Sequence, residues 1–168
     1  MTPQLSKPVL TALNEAVGQE LFAHTLYLNL AINMQGVGFF GCAKYFKSES
    51  ESEFAHAQII TDYINDRGLV ASVPMISKQT DIAKTIKEAF TVSLDAEMDL
   101  EKFYLELYER CEEETDEGGY GDCQTAIFLQ ELLIIQRKAV GEVRDYLSTI
   151  DRCGSNEAAL LIFDGRFL

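Results

Sequence analysis

The chain has 168 residues, 47% of them hydrophobic and 24% charged, which suits one domain with a continuous core and excludes a disordered tail. Three prolines and eleven glycines exclude collagen-like and low-complexity classes. Twenty-seven acidic residues against fourteen basic ones give a net charge of −13, which repels nucleic-acid phosphates and anionic membranes and attracts cations.

The first predicted element is a helix from about Lys7 to Gln35, with Leu10, Leu13, Val17, Leu21 and Leu28 recurring at helical steps. Ser6 is its expected N-cap, Pro8 sits in its first turn, and Gly36 and Gly38 end it. A second helix runs from about Phe39 to Arg67 and stops at Gly68. The stretch from Leu69 to Gln79 loses helical periodicity and carries Pro74, so it reads as an extended connection. Thr80 or Asp81 is expected to cap a third helix that reaches about Glu113. A polar, glycine-rich turn follows, and Asp122 caps a fourth helix from about Cys123 to Asp151. Ser155 opens a short fifth helical stretch whose apolar tail should pack against the rest of the assembly.

Four rods of matched length, each with one apolar stripe, predict an all-α antiparallel four-helix bundle. The long second connection makes it a bundle with a crossover between its second and third helices and a short C-terminal fifth helix. No linker or internal repeat divides the chain, so one domain is expected over residues 1–168. The four cysteines (Cys42, Cys111, Cys123 and Cys153) form no CxxC pair and read as reduced thiols in a cytoplasmic protein. The amino-terminal segment lacks the apolar stretch of a signal peptide, and no run has the length of a membrane span. Neither a membrane nor a nucleic acid is an expected partner.

The informative feature is acid inside the apolar stripes. Glu20 falls in the row Leu13, Ala16, Glu20, Ala23, Tyr27, Leu30 of the first helix. On the second, Glu53 and His56 form a Glu-x-x-His pair that projects in one direction among Phe46, Ala57 and Ile60. On the third, Glu97 lines up with Phe90, Leu94, Leu100 and Tyr104, and on the fourth Gln136 lies among Leu132, Leu133, Ala139 and Val140. A single acid at such spacing is usually a solvated helix residue. Three buried carboxylates near the middle of four rods are instead prohibitive unless a shared cation compensates them. Carboxylate oxygens with one imidazole suit a pair of iron or manganese ions, because softer metals call for thiolates.

The segments NEAVGQELFAHTLY, CAKYFKSESESEFAHAQ, LDAEMDLEKFY and FLQELLIIQRKAV, one on each long helix, resemble the ferritins, and the resemblance covers nearly the whole chain. It implies an iron-storage protein that oxidises Fe2+ to Fe3+ with dioxygen or peroxide at a diiron centre. The same resemblance implies storage of the ferric mineral in a homo-oligomeric shell of twenty-four subunits. Carried over by position, Glu20, Glu53 and His56 would hold the first iron. Glu53 would bridge to a second iron held by Glu97, with Gln136 as a weak ligand or hydrogen-bond partner. Tyr27 would lie beside the site and supply an electron or order a ligand.

Departures from the family's variants are equally specific. Bacterioferritins carry a second Glu-x-x-His on the fourth helix, where this chain reads Ile135, Gln136, Arg137, Lys138, Ala139; Phe54 stands near the place of their haem methionine, so no haem is expected. Ser52, Ile135, Lys138 and Ala139 occupy positions from which other bacterial ferritins build a third iron site. His24 reads as a surface or hydrogen-bonded histidine. Glu49 and Glu101 read as solvated acids or as outer stations on the iron path. Glu112, Glu113, Glu114, Asp116, Glu117 and Asp122 form either a solvated turn or the mouth of an entry channel. Tyr104, Tyr108 and Tyr120 read as packing and hydrogen-bonding residues without a redox role. Competing readings are another bundle diiron oxidase or peroxide reductase, a non-catalytic shell subunit, and a DNA-protecting mini-ferritin. The missing CxxC pairs disfavour a rubredoxin-linked reductase, and the acidic surface and fifth helix disfavour the mini-ferritin.

Overall fold

A computed structural model describes residues 5–80, 83–112 and 121–168. Its helices are α1 (Lys7–Gly36), α2 (Phe40–Asp66), α3 (Ile86–Glu112), α4 (Cys123–Cys153) and α5 (Glu157–Asp164), with a closing 3-10 turn at Gly165–Phe167. The described residues contain no strand.

Helix boundaries follow their caps. Ser6 accepts a hydrogen bond from the Val9 amide at 3.4 Å, and Gly38 leaves α1 with φ of 87°, a conformation that favours glycine. The third helix starts later than the sequence suggested. Thr80 lies in the extended connection, Asp81 falls outside the described residues, and Thr85 is the cap. The Thr85 hydroxyl accepts from the Glu88 amide at 3.1 Å, and the Glu88 carboxylate accepts from the Lys84 and Thr85 amides at 2.7 and 3.2 Å. That reciprocal box satisfies first-turn donors that Thr80 could not reach from the extended connection. Asp122 caps α4 as expected, accepting from Thr125 at 3.1 Å, but α4 continues to Cys153. Asn156 rather than Ser155 caps α5, accepting from Ala159 at 3.1 Å.

α1 packs along α2, α3 packs along α4, and α1 also contacts α3. The crossover climbs α1 in the direction of that helix. Ser72 donates to Asn14 at 2.8 Å, and Gln79 reaches the Phe22 carbonyl and Thr25 at 3.3 and 3.1 Å. Gly18 permits this approach, since a Cβ there would stand 2.4 Å from Pro74. The chain thus re-enters at the far end, and α3 descends antiparallel to α1.

The core is built in two halves. One gathers Leu13, Val17, Ile60, Ile64, Leu107 and Leu129, and the other gathers Leu30, Met34, Phe46, Phe90, Ile150 and Phe163. Each buried side chain of this size contributes about 1.5–3 kcal/mol to folding. Between the halves, every long helix contributes one polar residue: Glu20, Glu53, Glu97 and Gln136.

Candidate metal centre

The four polar residues of this middle layer are nearly inaccessible, with Glu20 1%, Glu53 3%, Glu97 2% and Gln136 3% exposed. His56, one turn beyond Glu53 on α2, is half-buried beside them. The structure therefore brings together all the residues expected from the sequence, in two adjoining groups.

The first group is Glu20, Glu53 and His56, whose ligand-capable atoms lie within 4.8 Å of one another. Nδ1 of His56 stands 3.1 Å from Oε2 of Glu53 and 3.7 Å from Oε2 of Glu20. Oε2 of Glu20 is fully buried and has no hydrogen-bond partner among the described residues. A buried carboxylate oxygen without a hydrogen bond is costly unless a cation stands beside it, as the His56 ring does here and as a metal could. Two carboxylates and one imidazole form a donor set for a divalent ion that favours oxygen and nitrogen ligands. These residues fit a bound metal.

The second group is centred on Glu97. Tyr27 donates to its Oε1 and Gln136 to its Oε2, while a second bond from Gln136 reaches the Glu97 backbone carbonyl at 3.0 Å. The Tyr27 oxygen also lies 3.1 Å from the Ser93 hydroxyl. Tyr104 donates to Oε1 of Glu20 from the opposite side of the layer.

Crowding of the carboxyl groups shifts their protonation. Burial, then the charge of Glu53, pushes the Glu97 carboxyl up to about 7. Burial also pushes Glu53 up, while the His56 ring pulls it back. Glu20 first and Glu53 second raise His56 to about 10, so a metal-free centre holds an imidazolium where a metal would displace that proton. The phenols of Tyr27 and Tyr104 are held well above their ordinary value by burial and by the neighbouring carboxylates, and both stay hydrogen donors.

Other residues singled out from sequence fall around this centre. His24 is hydrogen-bonded: its Nδ1 lies 2.7 Å from the Ser50 carbonyl oxygen, which keeps the ring off the cluster. Glu101 pairs with Arg137 at 2.8 Å. Glu49 is not a simple solvated acid. It is half-buried, and burial with the charges of Glu53, Glu97 and Glu142 raises it to about 7. Glu113, Glu114, Asp116, Glu117 and Tyr120 lie outside the described residues. Tyr104 hydrogen-bonds, as expected; what sequence reasoning missed is its acceptor, the Glu20 carboxylate. Its signal was a repeated spacing, since a glutamate is followed seven residues later by a tyrosine at Glu20/Tyr27 and again at Glu97/Tyr104.

A helical bundle with a carboxylate–imidazole cluster across its middle defines a class of metal-handling proteins in which facing helices supply inward ligands. The sequence profile of the ferritin-like domain matches residues 10–153, and the chain belongs to the ferritin family. It is 28% identical over 160 residues to the bacterial non-heme ferritin of Staphylococcus aureus, covering 95% of this chain and 93% of that protein. The bacterial non-heme ferritin of Staphylococcus haemolyticus gives the same identity and coverage. Among solved structures, the open pore ferritin of the hyperthermophilic archaeon Archaeoglobus fulgidus matches with a TM-score of 0.91 at 22% identity, covering 98% of each chain. An engineered closed form of that ferritin also matches at 0.91, with 23% identity over 98% of this chain and 96% of its own. No helix among the described residues is long and apolar enough to cross a membrane.

Proposed function

We propose that this chain, acting as a single domain over residues 1–168, is an iron-storage ferritin with ferroxidase activity. It oxidises Fe2+ at a two-iron site inside each subunit and deposits ferric mineral within a cytoplasmic shell of twenty-four copies. The observation that carries the reading is the gathering of Glu20, Glu53 and His56, with Oε2 of Glu20 buried and without a hydrogen bond, between two apolar half-cores.

In this reading Glu20, Glu53 and neutral His56 bind the first Fe2+. Glu53 bridges to a second Fe2+ on Glu97, and Gln136 stands beside it. Three carboxylates nearly offset the four positive charges of two ferrous ions, so the empty centre's repulsion becomes affinity for its substrate. Each Fe2+ loses one electron; dioxygen takes both, with two protons, and leaves as hydrogen peroxide. Peroxide as oxidant takes two electrons and two protons to become water. Oxidation leaves six positive charges against the same three carboxylates. Hydroxide from water offsets the surplus, and the hydroxylated ferric product is poorly retained. Gln136 favours this release because an amide contributes no charge. Tyr27 holds Glu97 in place through its hydroxyl and would supply an electron.

Adding Fe2+ anaerobically and then admitting air tests the reading. Wild-type protein should develop ferric near-ultraviolet absorbance rapidly and elute as a large shell. Glu53→Ala should elute at the same volume and lose the rapid phase by at least about tenfold. Oxidation at the wild-type rate in that variant would remove Glu53 from the bridge, and a monomeric or dimeric wild type would count against storage.

A further inference from the structure

We propose that Tyr104 is a positioning residue of the metal centre: its hydroxyl holds Oε1 of Glu20, so that Oε2 alone is presented to a divalent cation. The proposal rests on the reading of Glu20, Glu53 and His56 as metal ligands.

Seven residues are two helical turns, so Glu20 and Tyr27 share one inward face of α1, and Glu97 and Tyr104 share one of α3. Because α1 and α3 run antiparallel, the two pairs meet head to tail. Tyr27 of α1 donates to Glu97 of α3, and Tyr104 of α3 donates to Glu20 of α1.

The two carboxylates are nonetheless left in different states. Glu97 has both oxygens engaged, one by Tyr27 and one by Gln136. Glu20 has one oxygen hydrogen-bonded by Tyr104 and one without a hydrogen bond, which stands 3.7 Å from the His56 ring. Tyr104 is 1% exposed, so no water competes for its proton, and a buried phenol without its acceptor is costly. A carboxylate free to rotate could chelate a cation with both oxygens and fill a coordination position. Held at Oε1, it binds through one oxygen and leaves that position for substrate. Ligands are oriented in this way by partners that never touch the metal.

Anaerobic titration of the assembled protein with Co2+, whose visible absorption reports ligand number and geometry, tests this. Four forms are compared: wild type, Tyr104→Phe, Tyr108→Phe and Glu53→Ala. Tyr104→Phe keeps the ring and should bind Co2+ about tenfold more weakly, with a changed band intensity. Tyr108, half-buried at the edge of the core and bonded to Glu112 and Gln130 at 2.6 and 3.1 Å, is the control and should match wild type on substitution. Wild-type affinity and spectrum in Tyr104→Phe would overturn the proposal. If wild type fails to bind Co2+, or Glu53→Ala binds equally well, the assignment of the centre itself falls instead. Should Tyr104→Phe not assemble, metal-difference infrared spectra of ring-labelled wild type and Tyr27→Phe replace it. A tyrosine band that shifts on Co2+ binding should survive in Tyr27→Phe, and its absence there would overturn the role of Tyr104.

Discussion

Asp164, near the carboxyl end of the chain, holds the amino end of α2: its Oδ1 accepts from the Cys42 amide at 2.7 Å. Its Oδ2 accepts from the neighbouring Gly41 amide at 3.1 Å. Phe39, the residue that precedes α2, offers no side-chain cap, so two of the donors that every helix leaves at its start are satisfied from α5. A negative charge at that position also complements the helix dipole. Gly41 is what lets α5 come so close, because a Cβ there would lie 1.9 Å from the Asp164 carbonyl oxygen. The fifth helix is thereby locked to the bundle independently of any neighbouring subunit.

Asp164→Ala should cost about 1–2 kcal/mol, the usual worth of an N-cap, and lower the melting temperature by several degrees. Circular dichroism melts with the metal centre empty would show it. An unchanged melting curve would mean that aromatic packing of Phe163 and Phe167 alone docks the C-terminal segment.

Arg67 and Asp122 form the corresponding lock between the end of α2 and the start of α4. Their paired contacts measure 3.1 Å, and Arg67 also donates to Tyr63 at 2.6 Å. The guanidinium draws the Asp122 carboxyl below its ordinary value against the cost of burial. Truncation would leave the half-buried carboxylate facing Thr125. Arg67→Ala should therefore destabilise by about 3 kcal/mol, read from denaturant melts. A loss below about 1 kcal/mol would mark the pair as equivalent to an ordinary surface bridge.

Much of this was legible in the sequence because helices write their buried face every three or four residues. Leu13, Val17 and Leu30 announced α1, and Glu20 stood out only because it interrupted that row. The same contrast exposed Glu53, Glu97 and Gln136. Capping was legible where the acceptor is local, as at Ser6 and Asp122. It was hidden at α2, whose cap comes from Asp164, more than a hundred residues away in sequence. Tyr104 was hidden for the related reason that its spacing from Glu97 is visible but its acceptor lies on another helix. Glu49 looked like a solvated acid because half-burial against Glu53 and Glu142 is a tertiary fact.

The metal-free centre should make stability fall as pH rises. Glu97 and Glu49, both raised to about 7 from 4.5, keep their protons longer in the folded chain than in the unfolded one. Their favourable contribution is complete below pH 4.5 and is lost as pH climbs through 7. His56, raised to about 10 from 6.5, acts with the same sign: its contribution is complete below 6.5 and is lost as pH rises through 10. The melting temperature of metal-free protein should drop by several degrees between about pH 6 and 8.5. Glu49→Gln should flatten that slope. Metal affinity should move the other way, since the ion displaces protons. A flat melting profile in metal-free buffer would show that these acids are not held together in the empty centre.

Gln136 offers the sharpest test of the two proposed metal positions. Its amide donates to the Glu97 carboxylate and, at 3.0 Å, to the Glu97 backbone carbonyl, so a neutral donor now holds that acid in place. Gln136→Glu would remove the donor and set a second buried anion beside Glu97. The metal-free chain should lose about 2 kcal/mol or more, because two buried carboxylates then face each other and one must stay protonated. With Co2+ present the new carboxylate becomes a ligand, and the second equivalent should bind about tenfold tighter than in wild type. That gain should also raise the melting temperature more on metal addition than it rises in wild type. Calorimetric titration resolves the two steps. If only the first step tightens, Gln136 faces Glu20 and His56 rather than the second ion; if neither changes, it is a structural partner of Glu97 and no part of the metal site.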